Sequence, residues 1–161
     1  MNEMNFREMR RGDRQMTEEQ AVEIMNAQKW GVLSVCGDDG YPYGVPMNYG
    51  YVDEKIYMHS TSAESHKVDA IRRNEKVCLT IVEKEELDVT EYTTHYRSVI
   101  VFGKARILDD VAEKVSAMGK MMRGLVPAHV GNVMEHCGSV PSDFTMIEIT
   151  PEHISGKSNL Q

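Results

Sequence analysis

The N-terminal part of the chain begins with a helix-type hydrophobic pattern and then changes to a strand-type pattern. Thr17 is followed three residues later by Gln20, the reciprocal capping-box arrangement that opens a helix, and apolar residues then recur at helical spacing to about Gln28. An apolar run at 30–36 predicts a strand, and the glycines and aspartates at 37–40 predict a hairpin turn. We therefore expect a helix, a strand and a returning strand in that order.

The returning segment, 41–52, contains Pro42 and Pro46. Proline cannot donate to a β-ladder, so this segment is predicted to be an irregular or edge strand. The pattern beyond it predicts a strand at 55–59, a short helix ending at 72–74, a strand at 77–82, a surface loop at 83–94, a strand at 96–108, a helix after 109–110 and a strand at 145–150. The apolar stripe expected on that last helix is Val111, Val115, Met118, Met122 and Leu125.

Several of these connections are as short as hairpins, whereas a parallel sheet needs a crossover between successive strands. The order of elements therefore predicts an antiparallel β-barrel with helices packed outside. The length of 161 residues predicts a single domain spanning 1–161, with an N-terminal arm at 1–14 and a polar tail at 152–161. The segment 124–142 is the least readable part of the chain.

The charge balance narrows the possible partners. A net charge of -7 disfavours nucleic acid, which usually selects a basic surface, and the basic residues at 7–14 are predicted to form a solvated arm. No stretch approaches the roughly 18 apolar residues of a membrane-spanning helix, and the N-terminus lacks the apolar segment of a signal peptide. The sequence thus predicts a cytoplasmic protein without a membrane partner.

The cysteines and histidines predict neither a disulfide framework nor a metal site. Cys36, Cys78 and Cys137 are an odd number, and their spacing matches no zinc motif. We expect free and mostly buried thiols. The methionines at 118, 121 and 122 are predicted to pack in the core or in a dimer interface.

Two segments carry candidate binding chemistry. Hydroxyl residues at 60–62 lead to Ser65, His66 and Lys67 at a helix start, where backbone N–H groups, hydroxyls and a cation could bind a phosphate. A capped helix with a surface lysine is the equally weighted alternative. In the second segment, 45–49, free backbone groups beside a proline could pair with a planar heterocycle, and an ordinary edge strand is the alternative. Arg97 could meet a phosphate or substrate, or be an exposed strand cation.

Taken together and in order, these pieces resemble the flavin-binding split-barrel family typified by pyridoxamine 5'-phosphate oxidase, and in particular its nitroimidazole-resistance (Nim-type) branch. The resemblance covers nearly the whole chain. Its pieces are Met-Arg-Arg-Gly-Asp-Arg at 9–14, Gly-Tyr-Pro-Tyr-Gly-Val-Pro-Met-Asn-Tyr-Gly at 40–50, His-Lys at 66–67, Arg-Arg-Asn at 72–74 and Tyr-Arg-Ser-Val-Ile-Val-Phe-Gly-Lys-Ala at 96–105. Each piece is weak alone, and their order makes the match specific.

The resemblance implies a mainly β (α+β) fold, a six-to-seven-stranded antiparallel split β-barrel with peripheral helices. It also implies an FMN-binding homodimer, because two chains of that family form the flavin site at their interface. The flavin ring is then expected along Pro46, Met47, Asn48 and Tyr49. The FMN phosphate is expected among His59, Ser60, Ser65, His66 and Lys67, with Arg97 and Ser98 reaching in from the partner chain.

By the same resemblance, the protein is expected to be an FMN-dependent oxidoreductase. A small-molecule donor such as a reduced nicotinamide would reduce FMN, which would then reduce a small acceptor such as a nitroaromatic. His66 is the one side chain placed to exchange a proton near neutral pH, and a simple phosphate or ring contact is its alternative role.

Two departures from the family pattern qualify this expectation. Ser65 stands where Nim-type sequences commonly have glycine, which leaves the imidazole and the lysine in place. The only tryptophan is Trp30, so the C-terminal tryptophan and arginine elements that hold the substrate of true pyridoxamine-phosphate oxidases are absent, and vitamin B6 oxidation is not expected. The alternative function is a non-catalytic flavin- or haem-binding module, with His66 as the leading haem ligand.

Overall fold

The computed structural model describes residues 6–129 and 144–160, which form one seven-stranded antiparallel sheet with helices around it. The strands are β1 (Trp30–Cys36), β2 (Pro42–Asn48), β3 (Gly50–Val52), β4 (Lys55–Ser60), β5 (Lys76–Asp88), β6 (Thr93–Leu108) and β7 (Thr145–Ser158). Their order across the sheet is β2-β1-β5-β6-β7-β4-β3, and β2 also packs against β4. The predicted antiparallel barrel with outer helices is confirmed.

Alternation along the central strands builds the main core. On β6, Val99 and Val101 point inward, while Ile100 and Phe102 point outward. Inward residues of β1 such as Leu33 meet them across β5. Burying these aliphatic side chains, at about 1.5–3 kcal/mol each, is the main force holding the sheet in its register.

The helices among the described residues are α1 (Glu18–Ala27), α2 (His66–Arg73) and α3 (Val111–Leu125). The predicted capping box of α1 is present: Gln20 donates its backbone N–H to the Thr17 hydroxyl, and the Gln20 side chain accepts the N–H of Thr17 at 2.9 Å. α1 packs on β6 and β7, α2 on β1 and β6, and α3 on β3 and β4. No helix in the described part of the chain has the length and apolar character to cross a membrane.

The contact of α3 with β3 depends on two glycines. A Cβ on Gly124 would lie 2.9 Å from the Cα of Gly50, so the two backbones approach this closely only without side chains there. The buried residues of α3 are Ala117, Met118 and Met121, which form a second core cluster with Tyr57. The predicted stripe is therefore only partly right: Met118 is buried, whereas Val111 and Val115 in the N-terminal turns of α3 are exposed.

The prediction of a surface loop at 83–94 is wrong. β5 and β6 continue as a paired ribbon from Lys84 opposite Arg97 to Asp88 opposite Thr93. Asp88 closes the turn by accepting the backbone N–H of Thr90 at 2.9 Å. The polar sequence was misleading because a ribbon with both faces in solvent needs no apolar side, and its ladder hydrogen bonds carry the pairing.

The prediction of a polar tail at 152–161 is also wrong for most of that range. β7 continues to Ser158 along β6, and the register shifts beside Pro151, where a missing N–H is tolerated. The segment just after the N-terminal arm is tied to the same strand, because Met16 donates its N–H to the carbonyl of Gly156 at 3.0 Å. The apolar alternation in the sequence ends at Pro151, but the backbone pairing of β7 with β6 continues beyond it.

The remaining predictions concern the cysteines and the unreadable segment. Cys36 is exposed and Cys78 is partly buried, both as free thiols, so the expectation of mostly buried thiols is wrong for Cys36. Its position at the end of β1, where the strand leaves the barrel, explains the exposure. Cys137 and most of 124–142 lie outside the described residues.

Candidate functional site

The loop from the end of β4 to the start of α2 brings together one half of the predicted site. We call this set the α2 site: His59, Ser60, Ser65, His66 and Lys67. Ser60 is buried and donates its hydroxyl to the carbonyl of Ser62 at 3.1 Å, which folds the loop toward the helix. β4 and α2 thus place all five residues around the first turn of α2.

Ser65 occupies the N-cap position of α2 without using its side chain as a cap. Its hydroxyl oxygen is buried and has no hydrogen-bond partner among the described residues. An unpaired buried hydroxyl costs about 1–3 kcal/mol, so this position is suited to a ligand that supplies the missing bond. The N–H groups of the first helical turn add a preference for an anion.

Lys67 supplies the positive charge of the α2 site, and no described carboxylate pairs with it. Partial burial, together with the nearby Lys67 ammonium, lowers the pKa of His59 below its ordinary value. His59 is therefore neutral at physiological pH until an anion arrives. The α2 site combines one permanent cation with one imidazole whose protonation a bound anion would favour.

His66 is exposed and is anchored to the turn between β1 and β2. Its Nε2 accepts the backbone N–H of Asp38 at 3.2 Å, and its ring stacks on Tyr43 with 4.2 Å between centroids. Arg73, from the last turn of α2, pairs with the carboxylate of Asp38. In the neutral imidazole the proton therefore lies on Nδ1, which is the nitrogen left for a ligand.

The expected ring segment lies at the end of the edge strand β2, and its side chains alternate. Pro46 and Asn48 are exposed, whereas Met47 is partly buried and the ring of Tyr49 lies in the core. The Tyr49 hydroxyl donates to the carbonyl of Met25 at 2.8 Å, and burial raises the pKa of this phenol. Only the backbone of Tyr49 could therefore touch a ligand.

Arg97 and Ser98 lie on β6, near the start of the β5–β6 ribbon. We call this pair the β6 site. The Arg97 guanidinium pairs with Glu83 of β5 at 3.0 Å, so its charge is already compensated within the chain. Ser98 points to the outward face of the sheet, opposite Lys157 of β7.

The α2 site and the β6 site are far apart within one chain. His59 pairs with Met146 of β7, which pairs with Leu108 at the far end of β6. Arg97 precedes Leu108 by eleven residues on this continuous strand, a path of about 36 Å at 3.3 Å per residue. One chain does not bring the two halves of the predicted site together.

The prediction of a solvated basic arm at 7–14 is wrong for Arg14, which joins a cluster around Tyr96. Arg14 donates to the Tyr96 hydroxyl at 3.2 Å, and the Lys157 ammonium lies 5.6 Å from the centre of the ring. Partial burial raises the pKa of Tyr96, but the two cations outweigh it and the net pKa is lowered. The Met-Arg-Arg-Gly-Asp-Arg motif at 9–14 was the signal that could have indicated an arm packed on the sheet.

The outward face of β1, β5 and β6 carries large apolar side chains. Trp30 is 51% exposed, and Val82, Ile100 and Phe102 are 39–46% exposed. The cross-strand pairs that place Val32 beside Thr80 and Thr80 beside Ile100 make this face continuous. Contiguous apolar surface of this kind is typical of an interaction site.

The family model described as pyridoxamine 5'-phosphate oxidase matches residues 17–158 of the chain. That range contains every residue of the α2 site and the β6 site. No curated protein sequence matches the chain.

Solved structures from three bacteria share the fold at low sequence identity. A protein from Bacteroides thetaiotaomicron VPI-5482, described as a candidate 5-nitroimidazole antibiotic resistance protein, is 22% identical (TM-score 0.69; 89% of this chain, 85% of that chain). An FAD-binding protein from Mesorhizobium loti is 24% identical (TM-score 0.62; 91% and 98%). An FAD- and haem-binding protein from Mycobacterium smegmatis is 14% identical (TM-score 0.73; 90% and 73%). These likenesses show a common fold.

Proposed function

The chain belongs to the pyridoxamine 5'-phosphate oxidase family, and on that premise we propose that it is an FMN-dependent oxidoreductase acting as a homodimer. Its acceptor is a small molecule such as a nitroaromatic, and its donor is a reduced nicotinamide or a similar small molecule. The observation that carries the proposal is the buried, unpartnered hydroxyl of Ser65 beside the cation of Lys67. The other residues fit around it.

The α2 site has the donors that a flavin phosphate needs. The Ser65 hydroxyl, the N–H groups of the first turn of α2 and the Lys67 ammonium are all hydrogen-bond donors toward an anion. A phosphate there would also raise the pKa of His59, which the protein lowers in the absence of an anion. The phosphate therefore gains charge-assisted bonds at a position where the polypeptide leaves a donor unpaired.

The β6 site supplies the argument for two chains. Arg97 and Ser98 are too far along β6 to reach the α2 site of their own chain, so they would serve the site of a partner. The exposed apolar residues Trp30 and Val82 on the outward face of β1 and β5 offer a surface for that partner. On arrival of a phosphate, Arg97 would exchange its Glu83 contact for the ligand.

The end of β2 would hold the ring system. Pro46 has no N–H, and Asn48 points outward, which leaves this edge open to a flat heterocycle. Met47 and Tyr49 contribute through their backbone and fix the strand by packing inward. Bound flavin would supply two-electron transfer between donor and acceptor. His66 would keep its position through the Asp38 N–H, and Nδ1 would be the atom at which it exchanges a proton.

A non-catalytic flavin- or haem-binding module is the second candidate, favoured by the name of the Mycobacterium smegmatis structure, which binds FAD and haem. Haem ligation by His66 would require its Nε2 to leave the Asp38 N–H or its Nδ1 to turn toward the iron. The stacked contact with Tyr43 opposes that movement. The hydrogen bonding of His66 therefore favours flavin over haem.

The test is the identity and redox behaviour of the cofactor on untagged protein. We expect a flavin spectrum that a reduced nicotinamide bleaches and a nitroaromatic restores, with FMN released on denaturation. Release of FAD instead of FMN would show that the bound flavin is FAD. A Soret band, or a flavin that neither a donor nor an acceptor alters, would contradict the oxidoreductase and support the binding module.

A further inference from the structure

The outward face of β6 and β7 carries a groove of about 600 Å³ whose lining shares only Ser98 with the proposed flavin site. Strand residues Ser98, Ile100 and Phe102 form its floor together with His153, Ser155 and Lys157, and the N-terminal segment from Phe6 to Met9 forms a wall. We call it the β6 groove. Its volume lies within the usual range of small-molecule sites, about 300–1,000 Å³.

The β6 groove already holds flat rings face to face. Phe6 stacks on His153 with 4.7 Å between centroids and an interplanar angle of 10°. Phe6 also stacks on Phe102 at 5.8 Å and 8°. The three nearly parallel rings show that this part of the groove accepts planar aromatic groups, since offset stacking adds to the area they bury.

The charges around the β6 groove favour an anion. Lys157 sits at the Ser98 end, and no described carboxylate pairs with it. Arg7 adds a second cation, and among the described lining residues Glu8 is the one acidic residue and His153 the one other titratable group. The Arg14 guanidinium, held at the Tyr96 hydroxyl, adds further positive potential, because Lys157 lies over the same tyrosine ring.

We propose that the β6 groove binds a planar aromatic carboxylate, with its ring against the aromatic wall and its carboxylate at Lys157. This inference rests on the proposed function, because Ser98 borders both the groove and the flavin site expected from a partner chain. It makes aromatic acids, rather than neutral nitroaromatics, the acceptor class. Ring stacking selects planarity, and the lysine selects the negative charge.

The test is calorimetric titration of the FMN-loaded protein with three probes. 4-Nitrobenzoate has both features, nitrobenzene lacks the charge, and cyclohexanecarboxylate lacks the flat ring. We expect 4-nitrobenzoate to bind most tightly. Lys157→Gln should weaken 4-nitrobenzoate about fivefold, the scale of one solvent-exposed ion pair, and should leave nitrobenzene unchanged.

The matched control is Lys76→Gln, which removes the same charge from an exposed position on β5 outside the groove and should have no effect. Glu8→Gln removes the one acidic lining residue and should strengthen 4-nitrobenzoate binding. Equal affinities for the three probes, or an unchanged affinity in Lys157→Gln, would overturn the proposal. So would loss of 4-nitrobenzoate binding when FMN is added to the apoprotein, because the groove would then belong to the flavin.

The two proposals fail in different ways. If the protein takes up no flavin, the oxidoreductase proposal fails, while the same titrations on the apoprotein still decide whether the β6 groove prefers a planar anion. If flavin binds and the three probes do not differ, only the groove proposal fails.

Discussion

The α2 site and the β6 site each present a cation, but in opposite electrostatic states. Lys67 lies beside an unpaired buried hydroxyl and has no described carboxylate partner, whereas the Arg97 guanidinium is compensated by Glu83 at 3.0 Å. The first arrangement favours anion binding by a single chain, and the second is stable without a ligand. From this difference we expect the α2 site to provide most of the phosphate affinity. The β6 site of another chain would complete the phosphate site.

Removal of the Lys67 charge should have the largest effect on FMN binding. Lys67→Ala is expected to weaken FMN binding by about ten- to a hundredfold, because it removes a charge-assisted bond to phosphate worth about 1.5–3 kcal/mol. Quenching of flavin fluorescence during titration of the apoprotein measures the change. Lys76→Ala is the control, and an unchanged affinity in Lys67→Ala would contradict the phosphate assignment.

Two N-cap substitutions separate a hydroxyl that stabilises the fold from one reserved for a ligand. Thr17→Ala should lower the free energy of unfolding by about 1 kcal/mol, because its hydroxyl caps α1. Ser65→Ala should leave the stability of the apoprotein equal or higher, since its hydroxyl has no described partner, and should weaken FMN binding severalfold.

Denaturant unfolding and flavin titration on the same two variants measure both quantities. A loss of apoprotein stability in Ser65→Ala as large as that in Thr17→Ala would show that the Ser65 hydroxyl is an ordinary cap. The α2 site would then lose its distinction from any capped helix.

The smallest effect concerns the pH dependence at His59. Its pKa is lowered in the folded chain, so the unfolded chain binds the proton more readily. The free energy of unfolding should therefore fall as the pH drops below about 6.5, toward the lower folded pKa, and His59→Gln should reduce that slope. Unfolding of wild-type and variant apoprotein at a series of pH values measures it. Identical slopes for wild type and variant would contradict the assignment of His59 to the α2 site.

The sequence predicted the parts of the fold that bury an apolar face. The capping box at Thr17 and the strands predicted at 30–36 and 96–108 appear as expected. Periodicity could not predict the β5–β6 ribbon or the end of β7, because pairing there rests on backbone bonds and leaves no apolar stripe.

For the candidate site, the residue types around Lys67 predicted an anion site from the sequence alone. The unpaired state of the Ser65 hydroxyl and the occupied state of Arg97 could not be predicted, because both depend on contacts between distant segments. The packing of Arg14 on Tyr96 was missed for the same reason: a basic segment has the same composition whether it is solvated or lies on a sheet.

The central claim, that one chain's α2 site is completed by another chain's β6 site, is tested most directly with a mixed dimer. Lys67→Ala and Arg97→Ala chains carrying different tags are co-expressed, and the heterodimer is isolated on both tags. If the site is shared, one of its two sites carries both substitutions and the other carries neither. The account predicts one FMN bound with wild-type affinity per heterodimer, while both parent homodimers bind weakly. A heterodimer with no wild-type site, or an Arg97→Ala homodimer that binds FMN as wild type does, would contradict it.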